Sequence, residues 1–380
     1  MREFELPGPW AGLRSRPPRF EVDPAAVFAA VPELGQLHGA AHDPIHHAEG
    51  DVAVHTLRVL EALSGIEAYR ALPSGERMVV ALACLLHDLA KPLTMTELEG
   101  GRIGHPGHAR KGARMVRRLL WGWGIPFAVR EAVCGLVRLH EVPYFLMEKE
   151  DPERMAIRTS MIARCDLLSV VARADVLGRI CEDQQRLLDN IALFSAQCEE
   201  LGCLRAPFAF PSEHTRVVFF QDGYRSPTVE AWDDTRCEVV VLSGLPGAGK
   251  DTWLKGRCNG APVISLDALR EELGVDPSDK QGQVVSAAQE RAKGYLRRGE
   301  GFCWNATNVS RSLRQRVVEL ARRYGARVRI VYVEAPAARL FAQNRSRPDA
   351  VPEAVLERLF RRWEVPDLTE AHAVEYAVDR

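Results

Sequence analysis

Histidine and aspartate residues in the N-terminal half have the types and spacing of a metal site. His87 and Asp88 follow directly on a strongly apolar run, Val79–Leu86, that is typical of a buried helix. Adjacent imidazole and carboxylate groups at such a helix end are unfavourable without partners, and a metal ion would satisfy both. Mixed nitrogen and oxygen ligands favour Mn, Fe, Co, Ni or Zn over Ca or Mg, so we expect one or two divalent transition metal ions. The other candidate ligands lie on separate amphipathic segments: His55, His140 and Asp175.

A glycine-rich stretch in the C-terminal half has the spacing of a phosphate-binding loop, or P-loop. Gly244 to Lys250 fit the pattern G-x-x-x-x-G-K, after a strand-like run and before a helical segment. Its backbone N–H groups would surround phosphate oxygens, and Lys250 would reach the β- and γ-phosphates of ATP or another NTP bound with Mg²⁺. The expected nucleotide contacts are Gly244, Pro246, Gly247, Ala248, Gly249, Lys250, Asp251 and Thr252.

The residue after the P-loop lysine departs from the usual pattern. A Ser or Thr hydroxyl normally binds Mg²⁺ at this position, whereas this chain has Asp251 followed by Thr252. Either Thr252 takes the role of that hydroxyl, or Asp251 reaches the ion directly or through water.

Groups suited to phosphoryl transfer follow the next predicted strands. Asp267 stands at the carboxyl end of a strand, where side chains of a parallel sheet face the ligand crevice, and Arg270 follows one turn later. Asp267 can accept the proton of an attacking hydroxyl, and Arg270 can hold a phosphate of the acceptor. Asn305 closes another strand at the same edge. Arg345 and Arg347 are the expected members of a cationic lid over the transferring group.

The elements that must position these residues differ between the two halves. Helical spacing of apolar residues predicts helices at Val52–Leu63, Arg77–Leu86, Ala109–Leu120, Arg130–Leu139 and Met155–Val171. From Cys237 onward, helices alternate with strands expected at Glu238–Leu242, Val263–Leu266, Gly301–Asn305 and Val328–Val333. The sequence therefore predicts an N-terminal all-α helical bundle (1–200), a packed interdomain linker (201–236) with a strand-like run at Val217–Phe220, and a C-terminal α/β domain with a parallel sheet (237–380).

Composition limits the remaining classes of protein. With 380 residues, the chain exceeds one ordinary core, and its net charge of −1 excludes a global basic field for nucleic acid. None of the nine Cys forms a CxxC pair, so we expect small buried hydrophobic residues rather than a disulfide framework. Neither a signal peptide nor an apolar run of roughly 18 residues is present. These features predict a cytoplasmic protein with no membrane partner.

The N-terminal motifs resemble the HD phosphohydrolase superfamily. The phrases HHAEGDVAVHT, LHDLAKP, GH and RADVLGR occur in this order in the HD domain of bacterial CCA-adding enzymes. The resemblance implies hydrolysis of phosphomonoesters or cyclic phosphodiesters, with Lys91 near the bound phosphate and histidines such as His108 and His140 at a second metal. Asp166 competes with Asp175 as the last ligand. The implied metal ligands are His55, His87, Asp88, His108, His140 and Asp175, whereas His38, His42 and His214 are expected to be ordinary core or surface residues.

The C-terminal motifs resemble the 5′-hydroxyl polynucleotide kinases of the P-loop phosphotransferase group. The phrases GLPGAGKDT, DALR, NATN and the NRSR…VP…WEVP run carry this resemblance, over roughly 237–371. It implies that Asp267 is the general base, that Arg270 contacts the acceptor phosphate and that lid arginines engage the donor. Many of these kinases have Asp where Asn305 stands and Ser or Thr where Asp251 stands.

Together the two halves resemble the bacterial HD-Pnk end-healing enzymes. This resemblance implies a bifunctional enzyme acting on RNA or DNA ends. One module removes a 3′-phosphate, 2′-phosphate or 2′,3′-cyclic phosphate, the other phosphorylates the 5′-hydroxyl, and a separate ligase joins the ends. Two alternatives remain open: a nucleoside-type small-molecule kinase fused to a metabolite phosphohydrolase, and a nucleotide-gated nucleic-acid sensor with a structural metal.

Overall fold

Helices and strands are segregated along the chain. The N-terminal unit, Met1–Ala209, is almost entirely helical, and the C-terminal unit, Phe210–Arg380, contains a parallel sheet. This is the two-part architecture that the sequence predicts. The structure, a computed structural model, describes residues 13, 16–223, 226–258, 260–276, 281–346 and 350–378.

Packed helices form the core of the N-terminal unit. A two-stranded antiparallel hairpin interrupts the helical series, and the sequence did not predict it. The described helices are α1 (Pro24–Ala30), α2 (Val52–Leu63), α3 (Glu67–Ala71), α4 (Ser74–Leu86), α5 (His108–Gly122), α6 (Phe127–Leu139), α7 (Val142–Phe145), α8 (Pro152–Ser160), α9 (Cys165–Gly178) and α10 (Gln184–Glu200), and the strands of the hairpin are β1 (Thr96–Glu97) and β2 (Ile103–Gly104).

Helix α4 runs through the middle of this unit. Every residue from Met78 to Leu86 is buried, and the helix packs against α2, α6 and α9. A helix that is apolar on all sides has no solvent-facing stripe, so it must lie inside the bundle. The groups that follow its last turn therefore emerge in the interior of the unit.

The continuous helix expected over Met155–Val171 is wrong. The chain leaves the helical conformation after Ser160, and Arg164 has extended backbone dihedrals before α9 begins. Met161 and Ala163, in the connecting turn, are themselves buried. Because apolar residues continue through the turn, hydrophobic periodicity alone cannot reveal the break.

A glycine lets α2 and α9 approach closely. A Cβ atom on Gly178 would lie 2.6 Å from Cγ2 of Val59 and 2.9 Å from its backbone nitrogen. The carbonyl of Gly178 also accepts a hydrogen bond from Nε of Arg58, at 2.8 Å. Since α2 carries His55 and α9 carries Asp175, this close crossing brings two predicted ligands together.

The C-terminal unit is a doubly covered parallel sheet of five described strands in the order β4-β5-β3-β6-β7. The central strand β3 carries a continuous buried apolar run, Val239–Leu242, as expected for a strand buried on both faces. The elements are α11 (Glu213–Gln221), β3 (Cys237–Ser243), α12 (Lys250–Arg257), β4 (Val263–Ser265), α13 (Leu266–Leu273), α14 (Gly282–Arg297), β5 (Phe302–Asn305), α15 (Arg311–Arg323), β6 (Ala326–Glu334), α16 (Ala337–Ser346), α17 (Glu353–Phe360) and β7 (Ala373–Val378).

Two parts of the C-terminal unit differ from the sequence-based expectation. The strand-like run Val217–Phe220 is helical and belongs to α11. Helix α11 packs on the unit's own C-terminal segment, where Nε of Arg216 donates to the carbonyl of Leu368 at 2.9 Å. Strand β7 was not predicted, because its half-buried AVEYAV pattern lacks the apolar continuity of the central strand β3.

Cysteine pairing also differs from the expectation. Cys258 and Cys303 form a disulfide between the end of α12 and strand β5, whereas the sequence predicts small buried hydrophobic residues at both positions.

Among the described residues, no helix combines the length and apolarity needed to cross a bilayer.

We expect Gly178→Ala to destabilise the N-terminal unit by about 1–3 kcal/mol, because the added methyl group overlaps Val59. Chemical denaturation of the full chain measures the change in the free energy of unfolding. Gly122→Ala is the matched control, since its Cβ atom would meet nothing within 4 Å. Equal effects of the two substitutions would show that the crossing is not tight.

Candidate functional site

The structure gathers all six predicted metal ligands into one buried cluster. They come from five helices or helix ends, so no two neighbouring elements could form the cluster alone. Each side chain is shielded from solvent by the bundle. The members are His55 on α2, His87 and Asp88 after α4, His108 at the start of α5, His140 at the end of α6 and Asp175 on α9.

Asp88 lies at the centre of this cluster with one oxygen on each side. Its Oδ2 atom is 3.1 Å from Nε2 of His87 and 3.9 Å from Nε2 of His55. Its Oδ1 atom is 3.4 Å from Nε2 of His108 and 4.0 Å from Nε2 of His140. The carboxylate therefore faces two pairs of imidazoles and could serve two cations at once.

Asp175 completes the first of these two groups. Its Oδ1 atom is 3.0 Å from Nε2 of His55, and the ligand atoms of His55, His87 and Asp175 all lie within 4.8 Å of one another. Asp166 lies at the start of α9, where Arg164 donates to both of its oxygens. The structure thus places Asp175, rather than Asp166, in the cluster.

Backbone carbonyls orient three of the four imidazoles. The Nδ1 atom of His87 lies 2.7 Å from the carbonyl of Cys84, three residues earlier in the chain. His108 and His140 make the same contact with the carbonyl three residues earlier, at 2.9 and 2.8 Å. A hydrogen on Nδ1 satisfies each carbonyl and leaves Nε2 with a lone pair, which is the tautomer a metal ligand needs.

Glu49 orients the fourth imidazole, and sequence reasoning missed it. Its Oε1 atom lies 2.8 Å from Nδ1 of both His55 and His47, and its Oε2 atom accepts from the backbone of Ile180 at 2.8 Å. Burial alone would raise the pKa of Glu49, but the hydrogen bonds from His47 and His55 lower it below the usual range. The carboxylate stays ionised, and its position two residues after a His-His pair was the available signal.

The remaining contacts of the cluster fit divalent cations. Nε2 of His55, Nε2 of His87 and both oxygens of Asp88 are buried, and none of them forms a hydrogen bond with a described residue. Burial would raise the pKa of Asp88, but His87 and Lys91 lower it well below the usual value, so the group is anionic. Buried imidazole nitrogens and carboxylate oxygens that face one another fit the donor set of a transition metal site.

Cationic and phenolic groups complete the surroundings. Nζ of Lys91, which the resemblance implies is near a bound phosphate, lies 2.8 Å from Oδ2 of Asp88. Arg179 and Tyr144 both donate to Asp175 and fix its orientation. Glu141 stands at the edge, with Oε1 3.9 Å from Nε2 of His108.

The P-loop of the C-terminal unit connects β3 to α12. A Cβ atom on Gly244 would lie 2.3 Å from the carbonyl oxygen of Val333, so only glycine fits at the end of the strand. The backbone nitrogen of Gly244 donates to the carbonyl of Thr307, which joins the loop to the NATN motif after β5. Nζ of Lys250 donates to the carbonyls of Gly244 and Leu245, both at 3.0 Å, and so lies across the loop.

The two departures from the usual kinase pattern contact each other. Nδ2 of Asn305 donates to Oδ1 of Asp251 at 2.7 Å. Asn305 is the last residue of β5, and Asp251 is the second residue of α12, next to the phosphate-binding lysine. The pair holds one carboxylate and one amide at the place where Mg²⁺ binds in P-loop enzymes.

The groups predicted for the acceptor side are partly described. Asp267 lies in the first turn of α13, two residues after β4 ends at Ser265, whereas the sequence predicts it directly after the strand, and 75% of its side chain is exposed. Arg270 pairs with Asp267 and donates to Gln281 at 2.6 Å. Arg345 is exposed in the last turn of α16, and Arg347 lies outside the described residues.

Two family matches lie in separate units of the structure. Residues 52–179 match the HD domain family, and residues 239–366 match the AAA domain family. The chain joins an HD domain to an AAA domain. The HD match contains all six clustered side chains, and the AAA match contains the P-loop, Asn305 and Asp267.

Several curated proteins are similar over part of the chain. The Multifunctional CCA proteins of Variovorax paradoxus and Halorhodospira halophila are 29% and 27% identical, and the matches cover 62% and 63% of this chain and 54% of each relative. The CC-adding tRNA nucleotidyltransferase of Thermus thermophilus is 36% identical over 36% of this chain and 29% of its own length. The chain therefore spans about half the length, or less, of these relatives.

A solved structure from Chloroflexus aurantiacus, described as a kinase candidate, is 19% identical with a TM-score of 0.33. The match covers 38% of this chain and 86% of that structure, and a score this low supports no argument about function.

We expect Glu49→Gln to weaken metal binding by the HD domain about 10- to 100-fold, because a neutral amide oxygen accepts more weakly from His47 and His55, and an NH2 group cannot accept from the backbone of Ile180. A competition titration against a chromogenic chelator measures the metal affinity. Glu61→Gln, on the exposed face of α2, is the control. Identical affinities of the two variants would contradict the role given to Glu49.

Proposed function

We propose that the chain is a bifunctional enzyme that repairs broken nucleic-acid ends. In this proposal the AAA domain transfers the γ-phosphate of an NTP to a 5′-hydroxyl, and the HD domain removes phosphate from the 3′ end. The observation that carries the proposal is the presence, in one chain, of a complete HD ligand cluster and a P-loop followed by an acid–arginine pair. The printed names of the relatives, which include a tRNA nucleotidyltransferase, favour a nucleic-acid substrate.

The proposed kinase activity uses Asp267 and Arg270, which form an ion pair with each other. The acceptor's hydroxyl oxygen bonds to the γ-phosphorus, the bond to the β–γ bridging oxygen breaks and a nucleoside diphosphate leaves. Asp267 takes the hydroxyl proton, and its exposure leaves it accessible to the 5′ end of a nucleic acid. Arg270 holds Asp267 in place and has a guanidinium that can bind an acceptor phosphate in a bidentate way.

Lys250 must move for the nucleotide to bind. Its ammonium group lies over the carbonyls of Gly244 and Leu245, and phosphate oxygens would replace those two carbonyl acceptors. Since an ammonium–phosphate contact is charge-assisted, the exchange favours the bound nucleotide. The backbone N–H groups at the start of α12 add a favourable helix dipole.

Asp251 and Asn305 exchange the usual positions of the carboxylate and the uncharged magnesium ligand. In the pattern stated for related kinases, a hydroxyl follows the lysine and a carboxylate ends the strand. This chain has the carboxylate after the lysine and an uncharged amide at the strand end, and the two are hydrogen-bonded. The exchange keeps a single negative charge beside the phosphates, because two adjacent carboxylates would repel each other. We therefore infer that Asp251, oriented by Asn305, takes the role of the ion's carboxylate ligand.

The phosphoesterase half depends on the HD cluster. A divalent ion bound there supplies Lewis-acid polarisation of a phosphoryl oxygen. The side chains of His55, His87 and Asp175 hold one position, and those of Asp88, His108 and His140 hold the other. Lys91 provides the positive charge that holds a substrate phosphate against the cluster.

Asp267→Ala is expected to lower label transfer from γ-labelled ATP to a 5′-hydroxyl oligonucleotide by roughly 10²- to 10⁴-fold, since it removes the general base. Removal of a 3′-phosphate should be unchanged, because the two activities use different domains. Glu271→Ala, also exposed on α13, is the matched control. Absence of transfer by the native chain would refute the kinase half, and preference for a free nucleoside over an oligonucleotide would favour small-molecule metabolism.

The Asp251–Asn305 exchange is tested by reversing it. Asp251→Ser and Asn305→Asp should each lower kinase activity at least about tenfold, whereas the double variant should recover most of it, with a coupling energy of roughly 0.5–3 kcal/mol. Titration of ATP with and without Mg²⁺ gives a readout that does not depend on turnover. Independent, additive losses would instead favour Thr252 as the ligand, and Thr252→Ala would then show the larger loss.

A further inference from the structure

His42 occupies an environment that the sequence did not predict. It was expected to be an ordinary core or surface histidine, yet only 5% of it is exposed, and neither ring nitrogen has a hydrogen-bond partner among the described residues. A buried imidazole normally satisfies at least one nitrogen, as the clustered histidines do with carbonyls or with Glu49. Two unpaired nitrogens destabilise the protein unless something else binds them.

The ring of His42 lies beside the HD cluster. Its centroid is 4.0 Å from the ring of His47 and 5.4 Å from that of His55. His105 lies on another side, with its ring centroid 5.8 Å away. The nearby charges that act on His42 are the ammonium of Lys91 and the carboxylate of Asp88. His42 therefore borders the place where Lys91 and the metal ligands meet.

The main chain on both sides of His42 is fixed. The carbonyl of Ala41 lies 3.2 Å from Nε2 of His105. The carboxylate of Asp43 accepts from Nε of Arg102 at 2.9 Å, and its carbonyl accepts from the backbone of His47 at 2.9 Å. The loop is thereby joined to the β1–β2 hairpin region, so His42 is held in position rather than left to adjust.

The imidazole of His42 can serve as a hydrogen-bond donor. The neutral ring has one N–H donor and one acceptor. Lys91 and the candidate cation positions around Asp88 make the surroundings of His42 attractive to an anion, and the anionic part of the proposed substrate is its phosphoester.

We propose that His42 donates a hydrogen bond to the phosphoester bound between Lys91 and the HD cluster, and so is a catalytic residue of the phosphoesterase. This inference rests on the proposed phosphoesterase function. In the step it assists, water oxygen bonds to phosphorus, the bond from phosphorus to the sugar oxygen breaks, and that oxygen leaves with a proton. His42 contacts a phosphoryl oxygen throughout and gives up no proton.

A role of His42 in substrate binding and a purely structural role predict opposite effects of its replacement on the stability of the protein. If His42 serves substrate, replacing it by an apolar side chain removes two unpaired buried nitrogens and stabilises the free protein. If His42 is only a core residue, the same replacement disturbs the packing with His47 and destabilises the protein.

The test compares His42→Leu with native protein and with His38→Leu, an exposed histidine of the preceding segment. We expect the melting temperature of the metal-free His42→Leu protein to be unchanged or raised by roughly 2 °C or more. With metal added, release of phosphate from a 3′-phosphate oligonucleotide should fall about tenfold or more, whereas kinase activity should stay unchanged. Inhibition by inorganic phosphate should weaken by a similar factor.

Two outcomes would overturn the proposal: phosphate release within about twofold of native, or a lower melting temperature together with lost metal binding. His42→Asn, which keeps a donor, serves if the leucine variant does not fold, and it should retain more activity than His42→Ala. If the native chain releases no phosphate from any oligonucleotide, the proposed function fails instead. Calorimetric binding of inorganic phosphate to metal-loaded native and His42→Leu protein then decides the role of His42 separately.

Discussion

The buried carboxylate of Asp88 is the constraint on which the N-terminal unit depends. It emerges from the end of α4, a buried helix, into a region shielded from solvent. Removing a charge from water is strongly unfavourable unless opposite charges and hydrogen-bond donors surround it. The imidazoles that face it arrive from α2, α4, α5 and α6, so the charge is accommodated only when the whole bundle has packed. The packing that produces the fold of the unit therefore also assembles its candidate metal ligands.

Long periodic segments of the sequence predicted their elements well. The helix expected at Val52–Leu63 has those bounds in α2, and the four expected strands lie within two residues of β3, β4, β5 and β6. Short or atypical elements were missed where tertiary packing outweighs local pattern. Val217–Phe220 has strong strand propensity but is helical because α11 packs on the C-terminal segment of its unit. The hairpin β1–β2 has only two residues per strand, too few to show alternation.

Some site residues can be recognised from their neighbours in the sequence, whereas others are recognised only from contacts in the folded structure. Adjacent His87 and Asp88, and the P-loop, are local signals, because the chemistry and the motif coincide in the sequence. The contacts of Glu49, His42 and the Asp251–Asn305 pair exist only after folding. Residues 251 and 305 are 54 positions apart, so two separate departures from a motif turn out to be one hydrogen-bonded unit. From the sequence alone, each residue of such a pair is seen only as a separate and unexplained departure from the motif.

The carbonyl contacts of His87, His108 and His140 differ in kind from the Glu49 contact of His55. In the first three, the tautomer is fixed by peptide groups that every amino acid possesses, so no substitution at the carbonyl position can abolish it. The fourth depends on the identity of one side chain, that of Glu49. A substitution at residue 49 would therefore disturb the orientation of His55, whereas the other three imidazoles would keep theirs. A protein engineer could likewise transplant the three helix-terminal histidines singly, but His55 only together with its carboxylate.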